Sequence, residues 1–109
     1  MSRTIITKSN SDFFTNVSSE QMLGELCKEV GAKFYEDKKW SPFPKLAYSM
    51  TKEETLETAV KLRELMNNVE NVFPRYKMFL DERVTENDFK EIVLNYADCF
   101  EQSEGYECI

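Results

Sequence analysis

The residues of this chain best placed by type and spacing to do chemistry are carboxylates near its C-terminal end. From Asp81 to Ile109 there are nine acidic side chains and only Arg83 and Lys90 against them, a net charge of −7. The eighty residues before them carry twelve basic and eleven acidic groups, a net charge of +1. The acidity is therefore a local field, of the kind that steers a partner with a basic surface. At ~100° per residue, Glu91 and Asp98 fall on one line of a helix two turns apart, flanked by Asp88, Asn95 and Gln102, with Glu101 to the other side. Lys90 is the last cation in the sequence, so Glu91, Asp98, Glu101, Glu104 and Glu107 have no neutralising neighbour along the chain. Carboxylates spread over ~10.5 Å of helix are a crude copy of a phosphate strand. The same residues also suit a solvated helix face that keeps the protein in solution. Glu101 and Glu104 stand near a helix C-terminus, where the dipole prefers cations, which argues against stabilisation as their purpose.

A second group lies mid-chain, where Lys33, Lys38, Lys39 and Lys45 interleave with Phe34, Tyr35, Trp40, Phe43 and Tyr48. Cations beside stacking rings are the ingredients of a single-strand nucleic-acid platform. Glu36 and Asp37 interrupt the group, however, and the whole chain, at −6, repels polyanions. Trp40 and Phe43, beside prolines, read better as core residues or as anchors for a protein partner.

Much other chemistry has no residues to perform it. The chain contains no histidine, which removes the commonest general base, the histidine-activated nucleophiles and the usual nitrogen ligands of metals. Three scattered cysteines do not close a tetrahedral zinc site, and three isolated glycines do not make a phosphate loop. From Asp81 the spacing fails as a calcium loop, because Arg83, Glu86 and Ile92 occupy ligand or glycine positions. Ser49-Met50-Thr51-Lys52 has a Ser-x-x-Lys spacing without its companion motifs. Glu36-Asp37-Lys38 has the Glu-x-Lys order of a nuclease arm without a secure partner acid. Cys27 sits on an apolar helix face as an inert thiol, Cys99 is of similar type, and Cys108 in an acidic tail has acidic neighbours that would blunt its reactivity. The expectation is a protein that is not an enzyme and uses no cofactor or metal.

The elements that must position these groups are mostly helical. Ser18 with Gln21, Thr51 with Glu54 and Thr85 with Asp88 have capping-box spacing. Apolar residues recur at helical period after each, as Met22, Leu23, Leu26, Cys27 and Val30, then Leu56, Ala59, Val60, Leu62, Leu65, Met66 and Val69, then Phe89, Ile92, Val93, Tyr96, Ala97 and Phe100. Gly31 and Gly105 read as stops. The spacing thus predicts three principal helices over about 19–31, 52–70 and 86–102 in one mainly α domain spanning 1–109. Residues 1–18 form an arm or a short helix, 32–50 an irregular or hairpin segment, and 103–109 an acidic tail. Residues 75–80 suit a short strand or a helix opening at Pro74. The alternative is a small α+β domain in which 3–8, 33–36, 46–50 and 76–80 form an antiparallel sheet.

No apolar stretch approaches the ~20 residues of a bilayer span, and an odd number of cysteines suits reduced thiols, so the expected place is a cytoplasm, its own or a host's. In composition the chain resembles small acidic virus- or mobile-element-encoded proteins that bind and block host enzymes. Together with the acidic helix face, that resemblance leads to the expectation of an inhibitor or modulator, a nucleic-acid mimic contacting a basic protein partner, whose working surface is Asp88, Glu91, Asp98, Glu101 and Glu104, with Trp40 and Phe43 as anchors. Two other readings stay open: an assembly subunit, homodimeric through an exposed apolar face, and an oligonucleotide binder through residues 33–48. The sequence leaves the oligomeric state undetermined.

Overall fold

A computed structural model describes residues 2–7, 13–36, 39 and 44–108, and of residues 2–7, 13–20 and 108 the backbone alone. Two antiparallel strands, β1 (Ser2–Thr7) and β2 (Phe13–Asn16), lead into helix α1 (Val17–Val30). Three two-residue strands follow, β3 (Phe34–Tyr35), β4 (Lys45–Leu46) and β5 (Ser49–Met50). Helices α2 (Lys52–Leu65), α3 (Val69–Tyr76) and α4 (Glu86–Ser103) come next, and strand β6 (Tyr106–Cys108) closes the order. The fold is mainly α with small antiparallel sheets, as the apolar periodicity predicts.

Local chemistry sets the ends of α2 and α4. The Thr51 hydroxyl accepts from the Glu54 N–H at 3.2 Å while the Thr51 N–H donates to Glu54 Oε1 at 2.8 Å. Thr85 and Asp88 make the same reciprocal pair, at 3.1 Å in each direction. Each box satisfies donors that a helix start otherwise leaves open. Gly31, at φ +76°, ends α1 in the left-handed region that a glycine enters without steric cost. The start of α1 differs from expectation: it follows β2 directly at Val17, so Ser18 lies inside the helix rather than capping it. The second predicted helix also changes, because α2 ends at Leu65, a 310 turn covers Met66–Asn68, and α3 begins at Val69. Residues 75–80 are neither strand nor a new helix opening at Pro74. Pro74 sits within α3, and a 310 turn covers Lys77–Phe79.

The largest departures concern the two ends of the chain. The expected arm carries two strands, and the expected acidic tail carries β6, which pairs with both β1 and β5 in a sheet ordered β2-β1-β6-β5. Thr7 faces Tyr106, Ile5 faces Cys108, and Met50 also faces Tyr106. Glu104 at φ 55° and Gly105 at φ 101° turn the chain back after α4 to reach this position. A Cβ on Gly105 would stand 3.0 Å from the Met50 carbonyl oxygen, so the glycine also permits the close approach of β5. The predicted hairpin in residues 32–50 is present as a separate β3–β4 pair, with Phe34 facing Leu46.

Helices α2 and α4 run antiparallel. Met50, just before α2, pairs with Tyr106, just after α4, whereas Phe73 of α3 lies 5.6 Å from Phe89 at the start of α4. Phe89, Val93, Ala97 and Phe100 are fully buried along this seam, and Leu23, Leu26 and Cys27 of α1 and Leu62 of α2 are among the residues that join them in the core. The buried face of α2 is rotated from the expected stripe. Thr55 and Thr58 are inside, while Leu56 and Val60 are 38% and 52% exposed. The two threonine hydroxyls donate to the carbonyls of Lys52 and Glu54, at 2.9 and 2.7 Å, which lets them enter the core with their polar atoms satisfied. Gly24 marks where β4 crosses α1: a Cβ there would lie 2.4 Å from the Pro44 carbonyl oxygen and 2.5 Å from the Lys45 backbone. Because the obstruction is backbone, Gly24→Ala should lower the unfolding free energy by about 2–3 kcal/mol despite the helix preference for alanine. A urea titration monitored by helical circular dichroism measures this, and an unchanged midpoint would refute the close packing of β4 on α1.

Candidate functional site

The outer face of α4 is built by the inner one. With Phe89, Val93, Ala97 and Phe100 in the core, Glu91, Asn95, Asp98 and Gln102 point to solvent on the opposite side. The structure therefore brings Glu91 and Asp98 onto one exposed ridge, as the spacing predicts. Asp88 is exposed beside them, but one of its carboxylate oxygens holds the Thr85 N–H of the capping box. Glu104, the left-handed residue after the helix, is exposed at the far end.

These carboxylates have no neutralising neighbour along the chain, but at the C-terminal half of the ridge the fold brings one from a distant position. Arg63 reaches from α2 and its Nη2 donates to Asp98 Oδ1 and Glu101 Oε2, each at 2.7 Å. Those two bonds, Glu101 first and Asp98 second, hold the Arg63 guanidinium more firmly protonated than usual. Arg63 lies thirty-five residues from Asp98 along the chain, so only the antiparallel packing of α2 on α4 supplies the cation. All three side chains are at least a third exposed, and solvent screening keeps the stabilisation below about 1 kcal/mol. In the turn before α4, Arg83 engages Asp81 at 3.0 Å and lowers the carboxyl's pKa, through its side chain first and its backbone N–H second. Glu82, Glu86, Glu91 and Glu104 have no ion partner among the described residues. The acidity without an ion partner is thus carried by the turn before α4, by the start and middle of the helix, and by Glu104 just beyond its end.

Trp40 and Phe43 lie outside the described residues. Of the Lys/aromatic segment around them, Tyr35 and Tyr48 meet edge to face at 4.8 Å, and Lys33 stands 3.8 Å from Glu54. Tyr35, Tyr48 and Lys33 are therefore engaged with the protein itself, whereas Phe34 is 36% exposed. Ser49 lies in β5 and Lys52 opens α2, so the Ser-x-x-Lys spacing spans a strand end and a helix start. No group of three or more cysteine, aspartate or glutamate side chains is placed to hold a metal among the described residues. No helix among the described residues is long and apolar enough to cross a membrane. A hollow of about 350 Å³ is lined by Phe73, Lys77, Leu80, Asp81, Glu82 and Val84. The Lys77 ammonium stands 5.2 Å from the Phe73 ring centre.

One polar cluster escapes a reading from sequence. Tyr76 of α3 donates its hydroxyl to Glu29 Oε2 of α1 at 2.8 Å, and Arg75 pairs with the same carboxylate. It ties α1 to α3 across forty-seven residues. Burial first, and the bond to Glu29 second, raise the Tyr76 hydroxyl above the usual tyrosine range. Comparison with protein-family models, with curated proteins and with solved structures finds no match.

The cysteines stand apart from the acidic face in chemistry. Burial pushes the Cys27 thiol up to about 12, and burial followed by the Asp98 charge raises Cys99 as well. A thiol raised on folding keeps its proton when the unfolded chain has lost it, so this stability is present at neutral pH and falls as pH rises from 9 toward 12. Tyr76 acts with the same sign at still higher pH. The unfolding free energy should therefore decline above pH 9, by up to about 1.4 kcal/mol per pH unit for Cys27 alone. Urea midpoints of the wild type and Cys27→Ala, taken between pH 8 and 10.5, should show a shallower decline in the variant. Parallel curves would remove Cys27 as a cause.

Proposed function

We propose that the protein is a small acidic interaction module that binds a basic protein partner, acting as an inhibitor or modulator of nucleic-acid-handling machinery. The observation that carries this reading is the exposed α4 ridge. Its carboxylates stand opposite a fully buried apolar line, so they are displayed on a rigid element rather than on a loose tail. A ridge of this kind can occupy a groove that otherwise receives phosphates, with association that is fast and salt-sensitive. The working residues in this reading are Glu91 and Asp98 at the centre, with Asp88, Glu101 and Glu104 around them. Trp40 and Phe43 remain the proposed apolar anchors.

Arg63 refines the proposal, because it opposes part of the ridge's charge. Its removal should strengthen an acidic binding surface while costing little fold stability. The test is affinity capture from cell extract at low and high salt with three baits: wild type, Glu91→Lys/Asp98→Lys, and Arg63→Gln. Capture of a basic protein should fall at least tenfold with the double reversal, fall with salt, and hold or rise with Arg63→Gln. Equal capture by wild type and the double reversal at low salt would overturn the reading.

A further inference from the structure

Leu56 and Val60 belong by period to the apolar stripe of α2, yet the structure leaves both outside, one turn apart on the face turned from the core. Around them on the same face lie Lys52 and Glu53 toward the helix start and Arg63 and Glu64 toward its end. We propose that this face of α2 is the docking surface for a second copy of the chain, the two helices crossing antiparallel about a two-fold axis. The inference does not rest on the acidic-ridge reading, since it needs no foreign partner, although Arg63 borders both surfaces.

Charge complementarity selects the second copy as occupant. In a two-fold antiparallel helix pair each contact occurs twice, with residue i on j and j on i. Setting Leu56 against Val60 of the other copy covers both apolar side chains at once. The same register sets Lys52 against Glu64 and Glu53 against Arg63, so all four charged residues of the strip meet an opposite charge. Shifting the axis to place Leu56 on Leu56 sets Lys52 against Val60, and placing Val60 on Val60 sets Leu56 against Glu64. Both alternatives bury an apolar side chain against a charge, so one register is preferred. Lys52, Glu53 and Glu64 have no ion partner among the described residues. Arg63 uses Nη2 for both Asp98 and Glu101, leaving its other donors for a third carboxylate. A pair of fourteen-residue helices, each ~21 Å long, falls below the ~1,200 Å² of a standard interface, so the dimer is a weak and concentration-dependent one.

Sedimentation equilibrium of the purified chain, from low micromolar to near-millimolar concentration, reads this directly. The mass should rise from one chain toward two. Lys52→Glu and Glu64→Lys should each weaken association about tenfold, by placing like charges against each other twice. The combined Lys52→Glu/Glu64→Lys variant should restore it to within about threefold of wild type, because the pair is exchanged rather than broken. Helical circular dichroism should be unchanged throughout, since these positions are on the outer face of the helix. A one-chain mass over the whole range would overturn the proposal. So would association that ignores the single reversals, or a combined reversal that fails to restore it. None of these outcomes bears on capture of a basic protein by α4.

Discussion

Burial of the Phe89, Val93, Ala97 and Phe100 line is the constraint on which the other features of the structure depend. Four side chains along one edge of an eighteen-residue helix fix its rotation about its own axis. Once that rotation is fixed, Glu91, Asn95 and Asp98 have no direction left but outward. The reciprocal cap of Thr85 and Asp88 sets where the helix begins, and hence the phase of the line relative to the chain before it. At its far end Phe100 meets Tyr106, whose hydroxyl donates to the Ala47 carbonyl at 2.6 Å. That buried hydrogen bond joins the end of the last helix to the segment that enters α2, so the seam between α2 and α4 is closed by backbone as well as by rings.

The sheet extends the same logic to the ends of the chain. Strand β6 is only three residues long, too short to be stable by itself, and it persists because β1 and β5 flank it. Its central residue, Glu107, faces both Ile6 and Ser49. Part of the acidity at the C-terminal end is therefore built into a pairing between distant parts of the chain. Pairings of such sequence separation carry a loop-closure cost that contacts elsewhere in the fold must offset.

Charge does two kinds of work on the surface. At Arg63 it joins α2 to α4 and moderates the acidic ridge, with little effect on stability because water reaches all three groups. At the start and middle of α4 the carboxylates stand without such a counter-charge, and their field extends outward. On α2 the exposed charges are mixed in sign and arranged around Leu56 and Val60. A surface of mixed sign favours a complementary copy of itself, whereas a surface of one sign favours an opposite partner. The two faces thus suit different occupants.

Much of this was legible in the order of residues alone. The helical periods of α1 and α4, both threonine capping boxes, the left-handed stop at Gly31, the inert Cys27 and the outward line of Glu91 and Asp98 all depend on neighbours within a few positions. Short-range chemistry of that kind is written locally. Interactions between distant positions decided the remainder. A three-residue strand such as Tyr106–Cys108 has too little pattern to be told from a tail, and the break of the second helix after Leu65 carries no proline or glycine to announce it. Thr55 and Thr58 displaced Leu56 and Val60 from the core because their hydroxyls found carbonyls one turn back, and the orientation of α2 against α4 put them inside. Arg63 belongs to no motif with Asp98 or Glu101. Its role exists only because two helices far apart in sequence pack antiparallel, and that packing changed an unopposed acidic ridge into one partly balanced by its own protein.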